Sequence, residues 1–207
     1  METMRMFPLG NPLIPFTLVS LRIFEPRYLQ MIAECRADTS TFGVVLIERG
    51  FEVGGGDVRA GVGTVAQIVE VSDLPDGERA VVAVGIERLD IVEWLSDGPY
   101  PRAIVERSQE TAAPGSFGRI AAIDEQLRVV LSLLSEAGID TGPVDHQLSD
   151  QAEVAAHQMC GLAPVGAFDA QRLLAAETTE DRLDLLVSML DEQRDLLMAL
   201  LGDGRLD

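Results

Sequence analysis

The chain has 207 residues, 47% hydrophobic and 24% charged, with a mean hydropathy of +0.17; it can bury the core of one large domain or two small ones, and is not a disordered polymer. Its 34 acidic residues oppose 16 basic ones, every one an arginine, for a formal charge of −18. That balance opposes binding to nucleic acid or to acidic membrane surfaces, and the lack of lysine removes a serine–lysine dyad, a Schiff base and a phosphate-loop lysine.

In chain order, the first half reads as short β-branched runs broken by glycine and proline. Strands are expected over Met6–Leu9, Leu18–Ile23, Phe42–Glu48, Val62–Val71, Arg79–Trp94 and Ala103–Arg107, several alternating with the period of a half-buried strand. Turns are expected at Gly54–Asp57, Leu74–Gly77 and Ser96–Pro99, with Pro75-Asp76-Gly77 as a hairpin connection. One helix interrupts the strands at about residues 26–36. Pro26 suits its first turn, and Tyr28, Met31, Ile32 and Cys35 form its apolar stripe. Phe24 is expected to anchor the preceding strand end in the core. Many short strands with such turns make a barrel or folded-over sheet.

After Ala112-Ala113-Pro114-Gly115 the period becomes helical. Ile120, Ile123, Leu127, Val130, Leu131 and Leu134 form one stripe, with Gly138 as its stop. Asp150 and Glu153 have capping-box spacing ahead of a helix ending near Gly161. Asp169 opens a short helix, and Thr178 or Thr179 caps a last long one carrying Leu183, Leu186, Val187, Leu190, Leu197 and Leu201. The fold class is therefore α+β: residues 1–112 are β-rich with one helix, and residues 113–207 are a helical bundle. The two parts carry −7 and −11.

Motifs for chemistry are sparse. Cys35 and Cys160 allow one bridge at most, and with no CxxC pair neither a thiolate zinc site nor any other metal or cofactor is expected. Gly61-x-Gly63-x-x-Ala66 has the outline of a dinucleotide fingerprint, but a strand follows it where a helix is needed, so the glycines mark bends or bulges. Ser116 lacks the glycines of a hydrolase elbow and reads as a helix cap. Any nucleophilic triad must use His146, read as a loop residue, or His157, read as a half-buried helix residue three positions before Cys160. Asp181, Asp184, Asp191 and Asp195 read as the solvated side of the last helix. No run is long enough for a spanning helix and none forms a signal peptide, so a cytoplasmic protein is expected.

Met6-Phe-Pro-Leu-Gly-Asn-Pro-Leu-Ile-Pro15 and Leu21-Arg-Ile-Phe-Glu-Pro-Arg-Tyr28 resemble the N-terminal substrate-binding domain of Lon-type proteases, with Ile23–Tyr28 the most specific part. Phe42–Ile47, Val62–Ala66, Leu74–Gly77 and Pro99-Tyr100 with Ala103 follow in that family's order. Gln171–Leu174 and Arg182–Leu186 look like its helical bundle. The resemblance implies a PUA-like β-barrel followed by helices, and a non-catalytic module that engages polypeptides. It brings neither the ATPase nor the protease of the full enzyme, because the phosphate-loop motif and the serine–lysine pair are absent from this sequence.

The candidate binding residues are Leu13, Ile14, Phe16, Tyr28 and Arg27. Leu13–Leu18 combines two prolines with large apolar side chains, and proline limits its backbone pairing. Some of Leu13, Ile14 and Phe16 are expected at the surface beside Tyr28, a rim that accepts an unfolded chain by strand addition. The competing reading makes them a plug for the barrel end, and leaves Glu25 and Arg27 as ties for the helix. Two other functions stand against polypeptide binding. One is RNA recognition by a PUA-like module, which needs Arg22, Arg27, Arg36 and Arg49 on one surface; the other is a small hydrolase built on His146 or His157.

Overall fold

The structure, a computed structural model, describes residues 1–50, 57–96, 98–108, 110, 112, 116–141 and 144–202. The turn expected at Gly54–Gly56, Asp97 in the Ser96–Pro99 turn, the junction at Pro114-Gly115 and the Leu201 side chain lie outside these residues. The chain divides into two compact units, Met1–Gln109 and Glu110–Asp207.

The first unit holds β1 (Glu2–Leu9), β2 (Leu18–Ile23), α1 (Pro26–Ala37), β3 (Thr41–Arg49), β4 (Val58–Asp73), β5 (Arg79–Trp94) and β6 (Arg102–Ser108). The six strands follow the order β2-β5-β4-β3-β1-β6, and β6 also pairs with β5. That last pairing closes a ring of β1, β3, β4, β5 and β6, leaving β2 outside it. Closure works because β5 is long: its first half carries β2, from Leu18 opposite Val84 to Ile23 opposite Arg79, and its second half carries β6. Strands expected from alternation are all present, several of them longer than expected. The hairpin also forms, with Asp76 at φ 67 and Gly77 at φ 80 in its turn.

Bulges supply the curvature a small ring needs. Register shifts fall between Ile68 and Glu70 on β4 and between Ile91 and Glu93 on β5, and the extra residues, Val69 and Val92, are exposed. An inserted residue breaks the ladder locally and strengthens the right-handed twist. Gly63 plays a different part, as a point of contact inside the ring. A Cβ there would lie 2.3 Å from the carbonyl oxygen of Val44.

Alternation along β1 divides the barrel unit's interior in two. Met6 lies within the ring, where a Cβ on Gly43 would meet it, while Phe7 faces α1. Phe7 stacks on Tyr28 with ring centroids 4.3 Å apart, and the stripe Tyr28, Met31, Ile32, Cys35 is buried against Phe42, Val44, Leu21 and Ile23. Each large side chain so buried contributes roughly 1.5–3 kcal/mol. Phe24 does not join this core: it is exposed, because β2 ends at Ile23 and Ile23 takes the inward position.

The second unit contains α2 (Ser116–Glu136), α3 (Ala152–Leu162), α4 (Ala167–Ala175) and α5 (Thr179–Gly202). The α2 stripe is buried as its spacing requires. Gly138, at φ 75, ends the helix, and the amides of Gly138 and Ile139 return to the carbonyls of Ser135 and Leu134. Thr178 caps α5: its hydroxyl accepts from the Asp181 amide at 3.1 Å and donates to the Asp181 carboxylate at 2.6 Å. The capping box expected at Asp150 does not form. Helix α3 starts one residue too late for it, after Gln151, and Ser149 Oγ takes the Gln151 amide instead. Ser116 likewise opens α2, but its hydroxyl donates to Glu180 Oε1 at 2.7 Å.

Candidate functional site

Strand β2 has one strand partner among the described residues, β5, so its other edge is open. The direction of its backbone groups follows from two hydrogen bonds. The Gly85 amide donates to the Thr17 carbonyl at 2.9 Å, and the Ile68 amide turns away from β5 to the Ser40 carbonyl at 2.8 Å. Backbone groups alternate in an antiparallel ladder, so Val19, Leu21 and Ile23 bond to β5, while Leu18, Ser20 and Arg22 turn their amides and carbonyls to the open side.

Beside that edge lies a groove of about 410 Å³. Its walls include Leu9, Pro12, Leu18, Phe24 and Tyr28 together with the length of β2. Leu18 is 68% exposed and Phe24 52%. The site therefore combines what an extended polypeptide offers to bind: a row of unpaired backbone groups and apolar surface next to it.

The candidate residues are distributed across this site unevenly. Of Leu13, Ile14 and Phe16, some of them expected at the surface, Leu13 and Ile14 are buried. The reason is a set of carbonyl contacts: Leu13 O accepts from the Thr64 hydroxyl and Ile14 O from the Thr17 hydroxyl, while Gly85 has no Cβ to hold Ile14 and Pro15 away. They plug the unit, as the competing reading had it. Leu13 still contributes to the groove wall, as does Tyr28, whose ring is buried. Phe16 is 38% exposed and sits at φ 64, a conformation rare for a bulky side chain. Arg27 stacks over Tyr28, 4.5 Å from the ring centroid, and donates to Glu25 Oε2 at 3.0 Å.

Leu18, Ser20 and Phe24 are not among the site residues the sequence suggests, and Arg22 is so only as part of an RNA surface. Their signal was present in the alternation of Leu18–Ile23, which marks one polar face. What alternation does not contain is the position of the strand in the sheet.

Burial pushes the Tyr28 phenol up to about 12 from 10.0, against the Arg27 guanidinium, which pulls it down. Burial likewise pushes the Cys35 thiol from 9.0 up to about 11. Between the unfolded and folded values the folded chain keeps protons that the unfolded chain releases. Stability from these groups is complete at neutral pH and falls as pH rises, from about 9 to 11 for Cys35 and about 10 to 12 for Tyr28. Tyr28 and Tyr100 are the only tyrosines, and Tyr100 is shifted upward as well, by burial and its bond to Glu34. The tyrosinate midpoints of the folded protein should therefore both lie above 10, with that of Tyr28 shifted further, to about 12. A tyrosinate midpoint at 10 in the folded protein would contradict this.

The histidines are held in other arrangements. His146 Nε2 lies 2.6 Å from Asp124 Oδ1, and Arg128 donates to the carbonyls of Val144 and His146 while pairing with Asp124, which fastens the loop to α2. His157, buried rather than half-buried, lies 3.7 Å from Glu110. Burial raises the nearby Cys160 thiol to about 12, the reverse of what a nucleophilic cysteine needs. Among the described residues no three His, Cys, Asp or Glu side chains are grouped to hold a metal ion, and no helix is long and apolar enough to cross a membrane.

Lon protease 2 of Herpetosiphon aurantiacus is 29% identical over 202 residues, covering 92% of this chain and 24% of that protein. A LON peptidase N-terminal domain and RING finger protein of Schizosaccharomyces pombe is 23% identical over 206 residues, covering 83% of this chain and 42% of its own length. This chain thus spans about a quarter of the Lon protease and under half of the RING finger protein. Among solved structures, a Lon N-terminal domain protein from Xanthomonas campestris superimposes with a TM-score of 0.66 at 23% identity, over 91% of this chain and 98% of that one. The N-terminal domain of a Mycobacterium avium complex Lon protease gives 0.67 at 18% identity, over 92% and 98%. These two share the fold, an α+β arrangement of strand sheet and helices. The family model for the substrate-binding domain of ATP-dependent protease La (Lon) matches residues 3–192, from the first strand of the ring into the last helix, and the chain belongs to that family.

Proposed function

We propose that this chain is a non-catalytic module that captures unfolded polypeptide segments by strand addition along the open edge of β2. Membership of a substrate-binding domain family supports a polypeptide partner. The observation that carries the site is the coincidence of unpaired backbone at Leu18, Ser20 and Arg22 with the apolar groove beside them. Tyr28 and Leu13 line that groove, Arg27 stacks over the Tyr28 ring, and Phe16 precedes the lining residue Thr17 in the chain. No lysine exists for a serine–lysine dyad or a phosphate loop. Arg22 and Arg27, two of the four arginines an RNA surface would need, are each engaged by a carboxylate, Glu78 and Glu25.

Ser20→Pro tests the edge directly. The Ser20 amide points to the open side, so proline there removes no bond within the sheet, and proline is tolerated on edge strands. It does remove a donor that an incoming strand needs. Capture of a reduced, alkylated and permanently unfolded protein should weaken by about tenfold, the equivalent of one good hydrogen bond. The thermal transition should stay close to that of the parent, and Ser20→Ala should bind normally. Undiminished capture by a folded Ser20→Pro variant would remove β2 as the site.

A further inference from the structure

Building on the strand-addition reading above, we propose that the preferred occupant of the β2 edge is a cationic segment, with apolar residues at alternate positions and arginine or lysine between and beyond them. The first half of this pattern comes from the strand geometry. Side chains alternate between the faces of a sheet, and on β2 they divide sharply: Leu21 and Ile23 are buried and Val19 partly so, while Leu18, Ser20 and Arg22 are exposed. A strand laid beside β2 repeats that division. Every second side chain faces the groove between Leu9, Pro12, Phe24 and Tyr28, and the others face water.

The second half comes from charge. The Arg22 end of β2 adjoins the β4–β5 turn, where Ile23 pairs with Arg79 and Arg22 bonds to Glu78. Three acids stand there, Asp73, Asp76 and Glu78. Arg79 holds Asp73 and Arg22 holds Glu78, each at the exposed surface. Asp76 has no ion pair among the described residues, is exposed, and is fixed at the turn tip in the left-handed conformation. The edge therefore ends beside one uncompensated carboxylate. The chain as a whole carries −18, so the long-range field also favours a cationic partner and repels an anionic one. An acidic or merely apolar segment gains only the groove contacts.

The test uses fluorescent nine-residue peptides in anisotropy titrations with the whole chain. One alternates valine with lysine, a second alternates valine with glutamate, and a third alternates valine with serine. Two N-methylated versions of the lysine peptide block the amides of one edge or of the other. The lysine peptide should bind more tightly than the serine peptide, and about tenfold or more tighter than the glutamate peptide at low salt, with the gap narrowing as salt is raised. Asp76→Asn should reduce the lysine peptide's advantage. N-methylation of one edge should abolish binding and of the other leave it intact, because only one edge faces β2. If lysine, serine and glutamate peptides bind equally, the charge preference is wrong while capture stands. If both N-methylated peptides bind the lysine peptide's way, or if no peptide binds at all, strand addition at β2 fails and this proposal falls with it.

Discussion

Replacing Arg182 with leucine is expected to destabilise the helical unit by about 3–5 kcal/mol, the cost of removing one partner from a buried ion pair. Arg182 is fully buried and nearly every donor it carries is matched. Its Nη1 and Nη2 grip both oxygens of Glu110, Nε donates to the Leu173 carbonyl at 2.9 Å, and Nη2 also reaches the Ala176 carbonyl at 2.9 Å. One side chain thus closes the end of α4, the start of α5 and the segment at Glu110. Leucine has the volume to fill much of the space, so the loss would come from the buried carboxylate and two carbonyls left without donors. Far-UV circular dichroism during urea unfolding measures it. A double variant, Arg182→Leu with Glu110→Gln, should recover part of the loss because the uncompensated charge is gone. If Arg182→Leu alone unfolds at the parental urea concentration, the cluster contributes nothing to stability.

Gly63→Ala is expected to cost about 3 kcal/mol or more, at the upper end of overpacking effects, because the new methyl must displace backbone. The methyl would fall 2.3 Å from the Val44 carbonyl oxygen and 3.5 Å from Leu89. Val44 is an interior residue of β3, paired in register with Thr64, so it cannot yield without disturbing the ring. Gly61 provides the comparison: nothing lies within 4 Å of a Cβ there, and Gly61→Ala should change stability by no more than about 0.5 kcal/mol. Trp94, the only tryptophan, stands at the end of β5 and gives the unfolding signal. Equal midpoints for the two variants would mean that the ring accommodates the methyl by moving.

The contrast between Gly61 and Gly63 also shows what the sequence carries and what it does not. The motif Gly61-x-Gly63 is legible as a local irregularity, and the strand that follows rules out a dinucleotide loop. Which glycine is required depends on the approach of β3, a pairing across nearly twenty residues. The same division runs through the whole chain. Element types and most boundaries follow from local period, so the α1 and α2 stripes could be named residue by residue. The Phe24 side chain went the other way because its environment depends on where β2 stops. Leu13 and Ile14 became a plug through hydrogen bonds to Thr17 and Thr64, and Thr64 lies fifty-one residues from Leu13. The open edge was hidden for a related reason. Alternation identifies a strand, but only the long reach of β5, with β2 on one half and β6 on the other, leaves β2 without a second strand neighbour among the described residues.

The placement of β2 outside the closed ring has a further consequence for how the surface can vary. A strand inside the ring is hydrogen-bonded on both sides, and any change in it is felt by two neighbours. The outward positions of β2, Leu18, Ser20 and Arg22, have β5 as their one strand neighbour among the described residues, and their side chains are exposed, with Arg22 reaching Glu78 of the β4–β5 turn. They form an exchangeable cassette: residues there can be rewritten to suit a new partner while Val19, Leu21 and Ile23 keep the strand seated. A library randomised at positions 18, 20 and 22 would thus sample recognition on a scaffold whose closure never depended on them.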